Sequence, residues 1–178
     1  MENLIILSGE ACTGKTTVGQ ALAAKLGYVF HSAGNHAREF AHTKYGLDVH
    51  ALQGLCEGNP AIDLQLDDDF CNTIRQQLGQ AAGLVVDFRM GAHFFLGAMS
   101  IFLKASPMVV RKRLAGRTGE DFASLTRRNE ESRRRLLELY GYDYALESNY
   151  RHVIDTDYLV PEHILEVIAR FGRHGGCA

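Results

Sequence analysis

Gly9, Gly14, Lys15 and Thr16 stand at the spacing G-x-x-x-x-G-K-[ST] inside "GEACTGKTT", and each residue type has a physical task in that pattern. The stretch follows the apolar run "LIIL" and precedes "VGQALAAKL", so it reads as a sharp turn from a buried strand into a helix. A helix start leaves backbone N–H groups without partners, and the helix dipole adds positive potential at the same point. Phosphate binds such a place. Glycine at positions 9 and 14 lets the backbone approach the oxygens and take conformations barred to side chains. Lys15 reaches the outer phosphates of a nucleoside triphosphate, and the Thr16 hydroxyl is a ligand for Mg²⁺. Glu10, Ala11, Cys12 and Thr13 complete the cradle and Thr17 continues it into the helix, so residues 9–17 form the expected nucleotide-binding loop. A thiol near a helix start acidifies, yet Cys12 reads as a spacer rather than a redox sensor.

A bound triphosphate needs something to react with. An acceptor with a neutral hydroxyl requires a base, whereas a nucleoside monophosphate brings an oxygen already ionised near neutral pH and requires cations instead. The chain holds 14 Arg against 5 Lys, a bias that suits planar, bidentate phosphate recognition. Formal net charge is only −2, but residues 111–135 carry eight Arg and one Lys against four acids. A basic block on an acidic body points to a local anion site rather than to a broad nucleic-acid surface. Arg113 and Arg117 are four residues apart, which puts them on one helix face where both reach one anion.

The elements that must position these residues alternate. "NLIILS", "YVFH", "LVVDF", "SIFLKA" and "HVIDT" read as buried strands separated by helical patterns. This predicts an α/β fold of three layers, with a five-stranded parallel sheet covered by helices on both faces. The first helix is expected to bury Val18, Leu22 and Leu26 along one stripe and to stop at Gly27. The last begins near Pro161 and carries Ile164, Ile168 and Phe171 along one side. Two segments exceed ordinary connections, 32–80 and 111–145; insertions of this kind supply substrate contacts and covers. The 178 residues, 46% hydrophobic and 22% charged, suit a single domain. Four cysteines without C-x-x-C spacing argue against a disulfide framework or a zinc site, and the histidines His31, His36, His42 and His50 lack ligand spacing. Neither a leader-like segment nor a membrane-length apolar run is visible, which predicts a cytoplasmic protein with small-molecule partners and neither nucleic acid nor membrane contact. Monomer and homodimer both remain open.

"GEACTGKTT", "HSAGNHAREFA", "AIDLQLD", "VVDFRM", "VVRKRLAGR", "RNEESRRRLLELYGYD" and "VIDT", in this order over residues 3–170, resemble the cytidylate kinase-like family, especially its short archaeal-type branch. The resemblance implies a P-loop nucleoside monophosphate kinase fold with a core (1–31, 81–110 and 146–172), a monophosphate-binding insertion (32–80) and an arginine-rich mobile lid (111–145). It implies transfer of the γ-phosphoryl group of ATP to CMP or dCMP with Mg²⁺. Ser32, Ala33 and Gly34 then match the turn opening the acceptor insertion, Arg38 and Arg89 match clamps on the acceptor phosphate, and Asp63 and Asp67 match an acidic segment facing the base amino group. Asp87, at the end of a central strand, matches a carboxylate that holds Mg²⁺ through water. Arg113, Arg117, Arg128 and Arg135 match lid positions that swing onto the phosphates, Asp143 matches an acid without an assigned role, and Thr156 lies where the adenine ring is expected. Asn35 replaces a frequent Asp, and Asp87-Phe88 replaces a frequent Glu-Gly pair, so acceptor choice stays open. Two other readings stand beside this one: a kinase of a hydroxylated metabolite with Asp87 as base, and a nucleotide-binding regulator whose basic segment docks a partner.

Overall fold

The computed structural model describes residues 3–116 and 121–173. Strands Leu4–Ser8 (β1), Val29–Ser32 (β2), Leu84–Asp87 (β3), Met99–Lys104 (β4) and His152–Asp155 (β5) form one sheet in the order β2-β3-β1-β4-β5, with every neighbouring pair parallel. Central β1 is buried along its whole length and apolar from Leu4 to Leu7, because both of its faces are covered. Leu4 and Ile6 point to one side, into a core with Phe70, Val86, Phe88, Met90 and Tyr144. Ile5 and Leu7 point to the other, against Val18, Leu22, Ile164 and Ile168. The three-layer α/β architecture expected from the sequence is therefore the one observed.

Helices Lys15–Leu26 (α1) and Pro161–Arg173 (α8) contribute to the second of these cores. The stripe on α1 differs from the expected one: Val18 and Leu22 are buried, but Leu26 is 43% exposed. Gly19 and Ala23 complete the buried face instead. The ring of Phe30 lies so close to Gly19 that a Cβ there would come within 2.4 Å of it, so helix and sheet approach at small residues rather than through a third leucine. On α8, Ile164, Leu165 and Ile168 are buried, and the Phe171 ring stacks on His152 with centroids 3.7 Å apart.

The segment between β2 and β3 is helical throughout most of its length. Ala33–Phe40 (α2) runs into a wide turn at Ala41–Tyr45, followed by Val49–Gly58 (α3) and Pro60–Leu78 (α4). Asp48 caps α3 by accepting from the N–H groups of His50 and Ala51, and Asn59 caps α4 by accepting from Ala61. Phe40, Ala41, Leu52 and Cys56 give this segment a small core of its own. After the short helix Gly91–Phe94 (α5) and β4 come Pro107–Leu114 (α6) and Phe122–Tyr140 (α7), capped by Ser106 and Asp121. Val110, Leu114 and Leu125 pack on Cys12, which fastens α6 and α7 to the loop after β1. Cys12 is thus a buried thiol in a packing role. No helix among the described residues is long and apolar enough to cross a membrane.

Candidate active site

The loop between β1 and α1 has the geometry its residue types require. Gly9 has φ +136°, and a Cβ there would lie 2.2 Å from the Leu103 carbonyl oxygen, so only glycine fits. Gly14 and Cys12 also take positive φ, at +99° and +65°, the kind of turn conformation from which anion-binding backbone concavities are built. Thr13 Oγ1 donates to the Glu10 carbonyl at 2.9 Å and ties the loop to itself. Lys15 Nζ donates to the same carbonyl at 2.7 Å. Burial pushes the Lys15 ammonium down to about 8; Asp87 pulls it back up most strongly, and Arg89 adds to the fall.

Thr16 Oγ1 donates to Asp87 Oδ2 at 2.9 Å, joining the first turn of α1 to the end of β3. Two adjacent oxygens, a hydroxyl and a carboxylate, fit Mg²⁺, which takes one or two protein ligands and completes its octahedron with phosphate and water. The positive-φ turns at the start of α1 and the glycine-only approach at position 9 fit a polyphosphate equally well.

Arg89, two residues beyond Asp87, is held from several sides. Its Nη2 donates to Asn129 Oδ1 at 3.0 Å, and the same oxygen accepts from the Ala11 N–H at 3.4 Å. Its guanidinium lies over the ring of Tyr144, 5.3 Å from the centroid. Behind it, Ser8 Oγ sits 3.1 Å from the Arg89 carbonyl and 2.8 Å from the Tyr150 hydroxyl, which in turn donates to the Tyr144 carbonyl at 2.6 Å. One neutral side chain, Asn129, therefore ties α7 to both the loop and Arg89.

A cavity of about 460 Å³ opens in front of this group and runs from the loop into the α2–α4 segment, within the size range of small-molecule sites. Gly14, Lys15, Thr16, Thr17, Asp87 and Arg89 line its first part. Ser32, Gly34, Arg38, Asp63 and Asp67 reach it from the segment after β2, and Arg128 and Arg135 reach it from α7. Ser32 caps α2 through the Asn35 N–H, and Arg38 donates to Asn35 Oδ1, so the asparagine at this departure from the family pattern orients the guanidinium. Phe88, the other departure, is buried edge-on to Phe70 with centroids 5.1 Å apart and stacked on Phe94 at 5.8 Å, which gives the cavity an aromatic wall.

Not every sequence-derived residue lies where the pattern aims it. Arg113 lies behind the loop: Nη2 donates to the Thr156 carbonyl at 2.7 Å, and Nη1 to Thr156 Oγ1 at 3.0 Å and the Cys12 carbonyl at 3.3 Å. The cause is α6, whose Val110 and Leu114 pack on Cys12 and turn Arg113 toward β5. Thr156 is fully buried and braces this contact. Arg117 lies outside the described residues. Arg135 lines the cavity but pairs with Asp63, Nε to Oδ2 at 3.5 Å. Asp143, without a role from the sequence, pairs with Arg133, caps the Ala145 N–H and accepts an amide proton from Asn149 at its carbonyl, fixing the exit from α7. Asn129, Tyr140, Tyr144 and Tyr150 were missed, since each acts on partners distant in sequence.

The chain matches the AAA domain family over residues 5–136. It is 37% identical over 172 residues to an S-adenosylmethionine-dependent nucleotide dehydratase of Lacinutrix mariniflava, a match covering 94% of this chain and 35% of that protein. The chain thus spans about a third of the length of that relative. It is 32% identical over 170 residues to a cytidylate kinase of Sulfolobus acidocaldarius, covering 92% of this chain and 91% of that protein. The fold is similar to that of a shikimate kinase from Bacteroides thetaiotaomicron, with a TM-score of 0.59 at 17% identity and coverage of 94% and 96%.

Proposed function

Because the chain belongs to the cytidylate kinase-like family of P-loop kinases, we propose that it transfers the γ-phosphoryl group of ATP to CMP or dCMP in the presence of Mg²⁺. The observation that carries this reading is one cavity lined both by the phosphate loop, with Lys15, and by Arg38, Arg89 and Arg128. Two polyanions brought to contact distance repel, and guanidinium groups between them offset that repulsion. Asp87 is engaged by Thr16, which suits a carboxylate that helps hold a cation more than one that takes a proton from a hydroxyl.

In this mechanism the loop amides and Lys15 hold the β- and γ-phosphates of ATP, and Arg38 and Arg89 hold the acceptor phosphate in line. Thr16 and Asp87 would hold Mg²⁺, which would supply positive charge against the phosphates. Asn129 keeps Arg89 aimed without neutralising it. Arg128 on α7 lines the same cavity and would reach the transferring phosphoryl, and closure of the 111–145 segment as a lid would exclude water from the transfer. The protein works on small molecules in the cytoplasm.

ATP consumption against all common ribo- and deoxyribonucleoside monophosphates tests this reading. CMP and dCMP are expected to stimulate it most. Turnover confined to non-phosphorylated hydroxyl acceptors, or no stimulation by any monophosphate, refutes it.

A further inference from the structure

A guanidinium on a long, flexible side chain loses rotamer freedom when it clamps a phosphate, and the loss is smaller where the protein already holds it in place. Asn129 fixes one edge of Arg89, Nη2 to Oδ1 at 3.0 Å, but a single hydrogen bond leaves the plane of the group free to swing about it. The second restraint is a ring. Tyr144 lies under Arg89, with the guanidinium carbon 5.3 Å from the ring centroid, inside the reach of a cation–π attraction. The ring is fully buried, and it shares a core cluster with Phe88 and Met90, the residues on either side of Arg89. The backbone that carries Arg89 and the ring beneath its side chain are thus packed into one body.

The chain around Tyr144 is pinned as well. Asp143, before it, pairs with Arg133 and accepts from the N–H of Ala145, after it. The Tyr144 carbonyl accepts from the Tyr150 hydroxyl at 2.6 Å. Ser8 Oγ lies 2.8 Å from that hydroxyl and 3.1 Å from the Arg89 carbonyl, so Arg89 is joined to Tyr144 through its main chain as well as through its side chain. The Tyr144 hydroxyl itself is only loosely engaged, 3.5 Å from the Asn129 carbonyl. Burial pushes this phenol up although the Arg89 charge pulls it down, so the ring meets the cation in its neutral form.

Resting on the reading of the chain as a nucleoside monophosphate kinase in which Arg89 clamps the acceptor phosphate, we propose that Tyr144 is a positioning residue whose ring face sets the plane of the Arg89 guanidinium before the acceptor arrives. An aromatic face attracts a cation through its quadrupole and carries no net charge. It therefore orients Arg89 without neutralising it, whereas a carboxylate in the same place would compete with the phosphate. Where the competent orientation is only partly populated, the apparent affinity for the acceptor falls by that fraction. The loss falls on the acceptor, because the triphosphate is held by the loop and Lys15.

The test grades the ring face while keeping the ring in place. KM for CMP and KM for ATP are measured with the full chain for the wild type, for Tyr144→Phe, and for Tyr144 replaced by mono-, di- and trifluorinated phenylalanine, whose faces become progressively less negative at nearly constant size. Thermal transitions show that each chain is folded. Tyr144→Phe should stay close to the wild type, since it removes only the long hydroxyl contact. With fluorination KM for CMP should rise stepwise to roughly 5- to 30-fold, the range of a partly desolvated cation–π contact, while KM for ATP stays within about twofold. Isothermal titration with CMP completes a cycle: on an Arg89→Ala background the trifluorinated ring should weaken binding no further. A KM for CMP that ignores fluorination, an equal rise in KM for ATP, or the same loss on the Arg89→Ala background overturns this inference and leaves the kinase reading standing. No turnover of any monophosphate by the wild type overturns both. If Arg89→Ala binds CMP too weakly to titrate, the fluorinated series decides.

Discussion

Lys15 carries an ammonium in a place that disfavours it, and replacing it by methionine should make the unliganded protein more stable while abolishing nucleotide binding. Its pKa falls from 10.5 to about 8 through burial. A shift of that size corresponds to at most about 3 kcal/mol of differential stability, reduced by the partial solvent access of the side chain. The substitution also removes the Nζ–H donated to the Glu10 carbonyl, an interaction contributing about 1 kcal/mol. The net expectation is a gain of about 1–2 kcal/mol at pH 7. The sign follows from linkage: the folded-state value lies below the unfolded one, so the unfavourable contribution is fully present below about 8, fades as pH rises from there and is gone above 10.5. Urea denaturation of wild type and Lys15→Met at pH 7 and pH 9.5 measures this, and the advantage of the variant should shrink at the higher pH. Isothermal titration with ATP should detect binding only to the wild type, and that affinity should weaken above pH about 8 as the ammonium is lost. If Lys15→Met is less stable than wild type at pH 7, or still binds ATP with comparable affinity, the reasoning about the enclosed cation is refuted.

Gly9→Ala should destabilise the protein by at least about 2 kcal/mol and remove ATP binding, because the new methyl would meet the Leu103 carbonyl oxygen at 2.2 Å on a backbone with φ +136°. Thermal denaturation checks the first effect, and an unaltered midpoint would contradict the close approach of loop and β4. Asn129→Ala should raise KM for the monophosphate about tenfold by unfastening Arg89, with a smaller effect on KM for ATP. Initial-rate kinetics varying each substrate separate the two, and equal effects on both would show that Asn129 does not act through Arg89.

Local sequence was sufficient for the loop and the sheet because their causes are local. A glycine needed at φ +136° is legible where it stands, and strands covered on both faces must be apolar along their length. Leu26 shows the limit: helical spacing places it on the buried stripe, but the close contact between Gly19 and Phe30 rotates the helix onto its small residues. The arginines show it more clearly. Residue type and spacing mark them as cations but do not tell which already face an acid.

Arg133 is paired with Asp143 and Arg135 with Asp63, partners that no helical periodicity predicts. Arg89 and Arg113 are held instead by an amide, a hydroxyl and backbone carbonyls. A neutral partner fixes the direction of a guanidinium and leaves its charge uncompensated, whereas a carboxylate fixes it and cancels the field it would exert on an anion. Arg89 is therefore oriented before any phosphate arrives and still attracts one, and electrostatic catalysis requires both conditions together. The sequence signal for this arrangement is weak, since asparagine in the middle of α7 costs helix propensity and nothing nearby explains it. A buried mid-helix asparagine in an arginine-rich segment is accordingly a sign of an arginine held for use rather than neutralised.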